Sequence, residues 1–243
     1  MSSLAERLEH VQTSIEAACQ RANRPLESVT LIAVSKTHPA ESVIEAVGLG
    51  LRHFGENRVE EASGKIPTVL SATNHALTWH MIGHVQSRKA EDVIAAFDVI
   101  HSLDTLKLAE RYSRYAGAAG KTARVLLEVN VSGEASKSGL EASGWEQNAE
   151  SRTELWKVIQ QITVLPYLQI DGLMTMAPIV DDMEQTRPVF ASLRRLREAL
   201  ASDFPAGAWA HLSMGMTDDY PVAIEEGATM VRIGRAIFGD RTY

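Results

Sequence analysis

The sequence contains a single cysteine, Cys19, so no disulfide bond can form within the chain. The alanine-rich segment around it is typical of ordinary helix packing, and a reducing compartment fits best. The chain also lacks the apolar run of about 20 residues that a membrane span requires, and its first residues lack the apolar stretch of a signal peptide. We therefore expect a cytoplasmic protein without a membrane partner.

A concentrated excess of basic residues is also missing. The formal net charge is −7, which argues against a nucleic-acid partner because phosphate backbones attract clustered Lys and Arg. The eight histidines include no pair at the spacing of a helical metal motif, and His80 and His84 lie on either side of a predicted strand end. No metal site is predicted.

The sequence does carry an alternation of helix-like and strand-like segments. Apolar residues from Leu4 to Ala18 recur every three or four positions, which predicts an N-terminal amphipathic helix over 3–22. Eight short apolar runs follow, and they predict strands at 29–34, 52–55, 79–82, 98–101, 123–129, 168–173, 208–212 and 229–233. Helices are predicted between them at 40–49, 58–70, 87–96, 103–119, 154–162, 183–201 and 221–226.

Eight strand-helix alternations within 243 residues predict an α/β protein with a single (β/α)8 TIM-type barrel and an extra N-terminal helix. An open doubly wound sheet is the alternative. No Pro-, Gly- or Ser-rich linker divides the chain, so we expect one domain over 1–243. The longest irregular segment, about 132–151, follows the fifth strand, and loops of that length are often functional.

The residues just past the strands are the candidates for chemistry, because active sites of such barrels lie at the carboxyl ends of their strands. Lys36 follows the first strand. Loss of hydration at an apolar barrel mouth disfavours the ammonium form, which makes the neutral amine a nucleophile towards aldehydes. The alternative for Lys36 considered by itself is a surface charge with a buried stem.

The last strand runs into Gly234, where a missing side chain would let an anion approach the backbone N–H groups that begin the next helix. Ser213 and Gly215 follow the seventh strand, and barrels of this type commonly bind phosphate after strands seven and eight. A phosphate site is one interpretation. A glycine in a tight turn and a serine that caps a helix is the other.

Several short motifs occur in order from about residue 5 to 241. They are Ala33-Val34-Ser35-Lys36, Phe54-Gly55-Glu56-Asn57, Trp79-His80-Met81-Ile82-Gly83, Gln86-Ser87, Asn130-Val131-Ser132, Lys137-Ser138-Gly139, Gly172-Leu173-Met174, Leu212-Ser213-Met214-Gly215-Met216 and Val231-Arg232-Ile233-Gly234. Through these motifs nearly the whole chain resembles the pyridoxal-phosphate homeostasis protein family. The chain departs from the commonest family pattern at His84, where many relatives have proline, and at Arg88, where asparagine is frequent.

That family is similar to the N-terminal barrel of alanine racemase, which implies the barrel rather than the open sheet. The resemblance implies that pyridoxal 5′-phosphate (PLP) is held as a Schiff base on Lys36. It also implies that Asn57, Ser213, Gly234 and Arg235 surround the cofactor, the last two through N–H groups at the phosphate. Arg232 would face the pyridine nitrogen, and because a guanidinium only donates, the ring would be a weak electron sink.

We expect a carrier or regulator of PLP in vitamin B6 homeostasis rather than an efficient enzyme. The chain stops at Tyr243, and racemases of this fold type carry a further β domain that supplies a second acid/base group. Tyr220, the nearest tyrosine for that role, is predicted to lie at the surface. Without the further domain a monomer is expected, with apo PLP-dependent enzymes as partners. The alternatives are a low-activity amino-acid racemase and a cofactor-free barrel that binds a phosphorylated metabolite.

Overall fold

The computed structural model of the chain describes residues 2–134 and 136–239. Within these ranges, eight parallel strands close into a barrel, which confirms the predicted (β/α)8 fold with its extra N-terminal helix. The chain end at Tyr243, on which the expectation of no further domain depended, lies outside the described residues. No helix in the described part of the chain has both the length and the apolar character to cross a bilayer.

The strands pair side by side around the barrel in chain order, except that one short extra strand lies on its rim. The strands are β1 Thr30–Val34, β2 His53–Glu56, β3 Thr78–Met81, β4 Val99–Leu103, β5 Ala123–Asn130, β6 Leu140–Glu141, β7 Leu168–Met174, β8 His211–Ser213 and β9 Met230–Ile233. Pairing of β9 with β1 and of β4 with β5 closes the ring, and β6 pairs with the end of β5.

The helices cover the outside of this ring. They are α1 Leu4–Arg21, α2 Ala40–Gly48, α3 Val59–Ala72, α4 Ala90–Ala96, α5 Leu106–Ala118, α6 Ala149–Thr163, α7 Arg187–Asp203, α8 Tyr220–Glu225 and α9 Arg235–Phe238. The extra helix α1 begins at a capping box between Ser3 and Glu6 and packs on α8 and α9. Arg7 donates to the carbonyl of Ile237 at 2.7 Å, which fastens α1 to the last helix.

The two faces of each strand belong to different cores, because successive side chains of a strand point in opposite directions. On β5, Val125 and Leu127 pack in the large core between the strands and the helices. Leu126, between them, belongs to a small separate cluster with Val99 and Met174. The barrel interior is therefore only partly apolar, and polar side chains occupy much of the remaining space.

The segment predicted as irregular, 132–151, contains more regular structure than its polar composition indicates. It includes β6, and α6 begins at Ala149, so the predicted helix start at 154 was wrong. The side chain of Asn148 accepts hydrogen bonds from the N–H groups of Glu150 and Ser151, and these bonds fix the start of the helix. The first turn of α6 is polar and has no apolar periodicity, so the hydrophobic pattern did not predict it.

A close approach of β7 to β8 generates a stability prediction at Gly172. A Cβ atom added there would lie 1.9 Å from the carbonyl oxygen of His211, and that oxygen belongs to backbone that cannot move aside. We expect Gly172→Ala to lower the free energy of unfolding by about 3 kcal/mol or more, measured by urea denaturation. Gly64→Ala in α3, where no atom lies within 4 Å of the added Cβ, is the control and should stabilise by up to about 1 kcal/mol. Equal unfolding midpoints for both variants would contradict the close approach.

Candidate functional site

An open cavity of about 290 Å³ lies at the carboxyl ends of β1, β2 and β9. Five of the six residues predicted to bind a cofactor line it, and they are Lys36, Asn57, Arg232, Gly234 and Arg235. Its apolar walls come from Val34, Ile82, Met176, Ile179 and Met216. The structure therefore brings an amine, a guanidinium and the start of a helix into one small space.

Arg232 lines this cavity and is almost completely buried. Its guanidinium donates to the hydroxyl of Ser213 at 2.7 Å and to the backbone carbonyl of Thr175 at 3.0 Å. Burial lowers the pKa of Arg232 to about 10, against the opposing effect of the Asp219 and Glu128 carboxylates. The group stays charged near neutral pH and can only donate hydrogen bonds.

Ser213, the sixth predicted residue, is fully buried and does not line the cavity. Its hydroxyl oxygen lies 2.7 Å from the guanidinium of Arg232 and 2.8 Å from Nδ1 of His101. In this arrangement Ser213 contacts the cavity through Arg232, as a support for the guanidinium.

A buried lysine, Lys65, anchors the backbone on both sides of Lys36 through hydrogen bonds. Nζ of Lys65, in α3, donates to the carbonyl of Ser35 at 2.8 Å and to the carboxylates of Glu56 at 2.7 Å and Glu61 at 2.8 Å. Glu61 in turn accepts from the N–H of Thr37 at 2.6 Å. Thr37 has a φ of 66°, in the left-handed region that costs a β-branched residue energy. Contacts on both sides of Lys36 thus fix a strained turn.

Gly234 and the start of α9 form another part of the cavity wall. The first N–H groups of a helix have no acceptor within the helix, so those of Gly234 and Arg235 are suited to an anion. A Cβ atom added at Gly234 would lie 3.3 Å from the carbonyl oxygen of Val34, so glycine also allows close packing on β1. The Arg235 side chain extends to the surface, where it pairs with Asp218 at 2.8 Å.

A buried carboxylate, Glu128 of β5, lies within the electrostatic field of Arg232. Burial, with the negative charge of Asp104 acting in the same direction, raises the pKa of Glu128 to about 7, although Arg232 and His84 act in the opposite direction. His84, a departure from the commonest family pattern, makes a 3.0 Å contact with Asp104. The barrel mouth therefore contains charges of both signs.

One sequence prediction at this site was wrong, and several contributors were missed. Tyr220 was predicted to lie at the surface, but it is buried at the start of α8, where its backbone packs against Gly215. Lys65, Glu56, His101 and Thr175 were not predicted. A polar residue between apolar neighbours of a strand, as in Val99–Leu103, was the signal that could have indicated an inward-facing group.

Comparison with known proteins identifies the family of the chain. The family described as the N-terminal domain of alanine racemase matches residues 7–242. A pyridoxal phosphate homeostasis protein from Vibrio cholerae is 41% identical, over 100% of this chain and 98% of that protein. A protein of the same name from Pseudomonas aeruginosa is 42% identical, again over 100% and 98%. The chain belongs to the pyridoxal phosphate homeostasis protein family. The resemblance found in the sequence is thereby confirmed.

Solved structures extend the comparison of this homeostasis family member. PipY from Synechococcus elongatus, solved without PLP, is 38% identical with a TM-score of 0.83, covering 98% of this chain and 100% of that chain. A structure of PipY with PLP bound is 37% identical with a TM-score of 0.81 and the same coverage. Alanine racemase from Clostridium difficile, with 15% identity, a TM-score of 0.70 and coverage of 98% and 57%, shares the fold alone.

Removal of the buried Lys65 tests the network that holds the Lys36 turn. Lys65→Met leaves the fully buried Glu56 without its cationic partner, so we expect the free energy of unfolding to fall by about 3 kcal/mol or more. Lys157→Met, which breaks an exposed ion pair on α6, is the control and should change it by less than about 0.5 kcal/mol. Adding Glu56→Gln to Lys65→Met should restore part of the loss. Indistinguishable urea midpoints for the two lysine variants would show that the network does not stabilise the fold.

The raised pKa of Glu128 predicts a pH dependence of stability. The folded chain holds the Glu128 proton up to about pH 7, whereas the unfolded chain releases it near 4.5. Its contribution is therefore complete below pH 4.5 and is lost as the pH rises to about 7. We expect Glu128→Gln to be more stable than the parent at pH 8 by roughly 2–3 kcal/mol and nearly equal at pH 4.5, by urea denaturation. Glu154→Gln, at an exposed position, should show no such difference.

Proposed function

We propose that this chain binds PLP through a Schiff base on Lys36 and acts in intracellular PLP homeostasis as a carrier or regulator. The observation that supports this most directly is that Lys36, Arg232 and the start of α9 share one cavity. The family and the PLP-bound relative PipY support the choice of cofactor. When bound, PLP supplies an aldehyde that reacts with amines and a ring that can withdraw electrons.

The chain's own residues fit the parts of that cofactor. The Lys36 amine would be the nucleophile towards the aldehyde that the cofactor supplies. The N–H groups of Gly234 and Arg235 are the proposed donors to the phosphate, and Asn57 lies in the wall of the same cavity. Ser213 is proposed as the support beneath Arg232, through the hydroxyl contact described above.

Arg232 is the residue that favours a carrier over an efficient enzyme. Its guanidinium would face the ring nitrogen of the cofactor, and because a guanidinium can only donate, it would leave that nitrogen unprotonated and the ring a weak electron sink. Racemisation also needs a proton carrier on each face of the substrate carbon. Tyr220 is buried in the core beside Gly215 and is not available for that role.

The remaining parts of the proposal concern the whole protein. We propose that residues 1–243 form one domain, that the protein is a cytoplasmic monomer, and that it transfers PLP to apo PLP-dependent enzymes. Size-exclusion chromatography with light scattering tests the monomer. Reactivation of a purified apo-enzyme by the PLP-loaded protein, faster than by the same concentration of free PLP, tests the transfer.

The attachment residue is tested by absorption and peptide mapping. We expect the PLP-treated protein to show a visible Schiff-base band that borohydride removes while fixing the cofactor onto the peptide with Lys36. Lys36→Ala should lose the band and the modified peptide, because among the described residues that line the cavity Lys36 is the lysine. Lys107→Ala, on the exposed side of α5, is the control and should keep both. Fixation elsewhere in the unaltered protein would overturn the proposed attachment.

The carrier and racemase hypotheses differ in their effect on amino acids. A carrier should leave the α-proton of a broad amino-acid panel unexchanged with D₂O, as followed by proton NMR. Exchange at rates typical of metabolic enzymes, lost in Lys36→Ala, would instead support the racemase. A protein that stays colourless after incubation with PLP would favour the third possibility, a barrel that binds another phosphorylated metabolite.

A further inference from the structure

A column of hydrogen-bonded polar groups runs through the barrel from the cofactor site towards the opposite end. Below Arg232 and Ser213, Nδ1 of His101 lies 2.8 Å from the Ser213 hydroxyl. Nε2 of His101 lies 2.9 Å from Nδ1 of His80, and Nε2 of His80 lies 3.0 Å from Nδ1 of His53. Each histidine comes from a different strand, and His53 is the first residue of β2, at the amino-terminal end of the barrel.

The column is dry and uncharged over most of its length. Ser213 and His101 are completely buried, His80 is nearly so, and His53 is half-buried. Burial lowers the pKa of His80 to about 3, with the charge of His53 acting in the same direction, and it holds the pKa of His101 far below its usual range. Both rings are therefore neutral near pH 7, with one protonated and one bare nitrogen each.

Arg232 determines which group donates and which accepts in each hydrogen bond of the column. A guanidinium cannot accept, so Ser213 accepts from it and must place its own proton elsewhere. Among the described residues, Nδ1 of His101 is the acceptor within reach of that hydroxyl, and complete burial keeps water away. His101 then carries its proton on Nε2 and donates to His80, and His80 donates in the same way to His53.

We propose that His101, His80 and His53 are positioning residues, and that with Ser213 they form a one-way hydrogen-bond column that holds the Arg232 guanidinium in the cofactor site. Hydrogen bonds in such a chain polarise one another, and the charged donor at its head strengthens each bond below it. The ligand that benefits is the PLP of the proposed function. The tautomers that this column requires do not depend on a bound ligand, so they can be measured in the ligand-free protein.

The first test is nitrogen NMR of the ligand-free protein labelled with ¹⁵N-histidine at pH 7. The three resonance pairs are assigned by comparison with His101→Gln, His80→Gln and His53→Gln. We expect all three rings to be neutral, with the proton on Nε2 and a bare Nδ1. A proton on Nδ1 of His101 or His80 as the main form, or a charged ring at either position, would overturn the inference.

Ser213→Ala tests whether Arg232 sets the direction. The change removes the hydroxyl that links the guanidinium to His101, so each histidine can donate its hydrogen bond in either direction along the column. We expect the His101 resonances to report a mixture of the two tautomers. An unchanged single tautomer would show that the direction has another origin, and the inference would fail.

His101→Leu and His101→Gln form a matched pair for binding. Glutamine offers an acceptor and a donor at similar reach, whereas leucine leaves the Ser213 hydroxyl without an acceptor. We expect PLP affinity to fall about tenfold or more in the leucine variant, with a shifted visible band, and to be largely kept in the glutamine variant. Urea denaturation of both variants shows whether each is folded.

Equal affinity and an unshifted band in folded His101→Leu would overturn the positioning role. Failure of the proposed function gives a different result, because the parent protein itself would then not bind PLP while its histidine tautomers remained as expected. If His101→Leu does not fold, the tautomers of the parent and of Ser213→Ala decide the inference by themselves.

Discussion

The burial of one guanidinium, that of Arg232, is the constraint on which the interior of this barrel depends. A charge removed from water needs hydrogen-bond partners and nearby opposite charge, because desolvation otherwise costs several kcal/mol. The hydroxyl of Ser213 and the carbonyl of Thr175 supply the hydrogen bonds, and Asp219 supplies negative charge, joined by Glu128 once Glu128 is ionised. An all-aliphatic interior would exclude Arg232. The histidines and carboxylates at inward positions are what make its burial possible.

A second buried cation organises the other side of the site. Lys65 is enclosed by Glu56, Glu61 and the carbonyl of Ser35, and through Glu61 it reaches the N–H of Thr37. The two cations have different tasks. Arg232 faces the cavity and is suited to contact with a ligand, whereas Lys65 lies below the turn and holds the backbone that carries Lys36. The amine of Lys36 and the ammonium group of Lys65, which fixes the backbone beside it, therefore belong to different side chains.

The functional proposal combines the site with the family. Membership of the pyridoxal phosphate homeostasis proteins and the PLP-bound structure of PipY favour the cofactor, and alanine racemase shares the barrel. In the proposed function Arg232 would be a permanent donor at the ring nitrogen, and this role would favour binding over turnover because it weakens electron withdrawal. A racemase would also need a second proton carrier, and Tyr220 is enclosed in the core.

The sequence by itself determined the barrel and most of the cavity wall. Strand and helix periods are local, so the eight alternations predicted the fold, and the rule that chemistry follows strand ends located Lys36 and Gly234. The family resemblance added Asn57 and Arg235. Only the tertiary structure decided what lies beneath them. Ser213 and His101 are 112 residues apart in sequence and 2.8 Å apart in space, and no local pattern encodes such a contact. The predictions for Tyr220 and for the start of α6 were wrong for related reasons. Tertiary packing buries Tyr220, and a side-chain cap sets the start of α6, and hydrophobic periodicity reports neither.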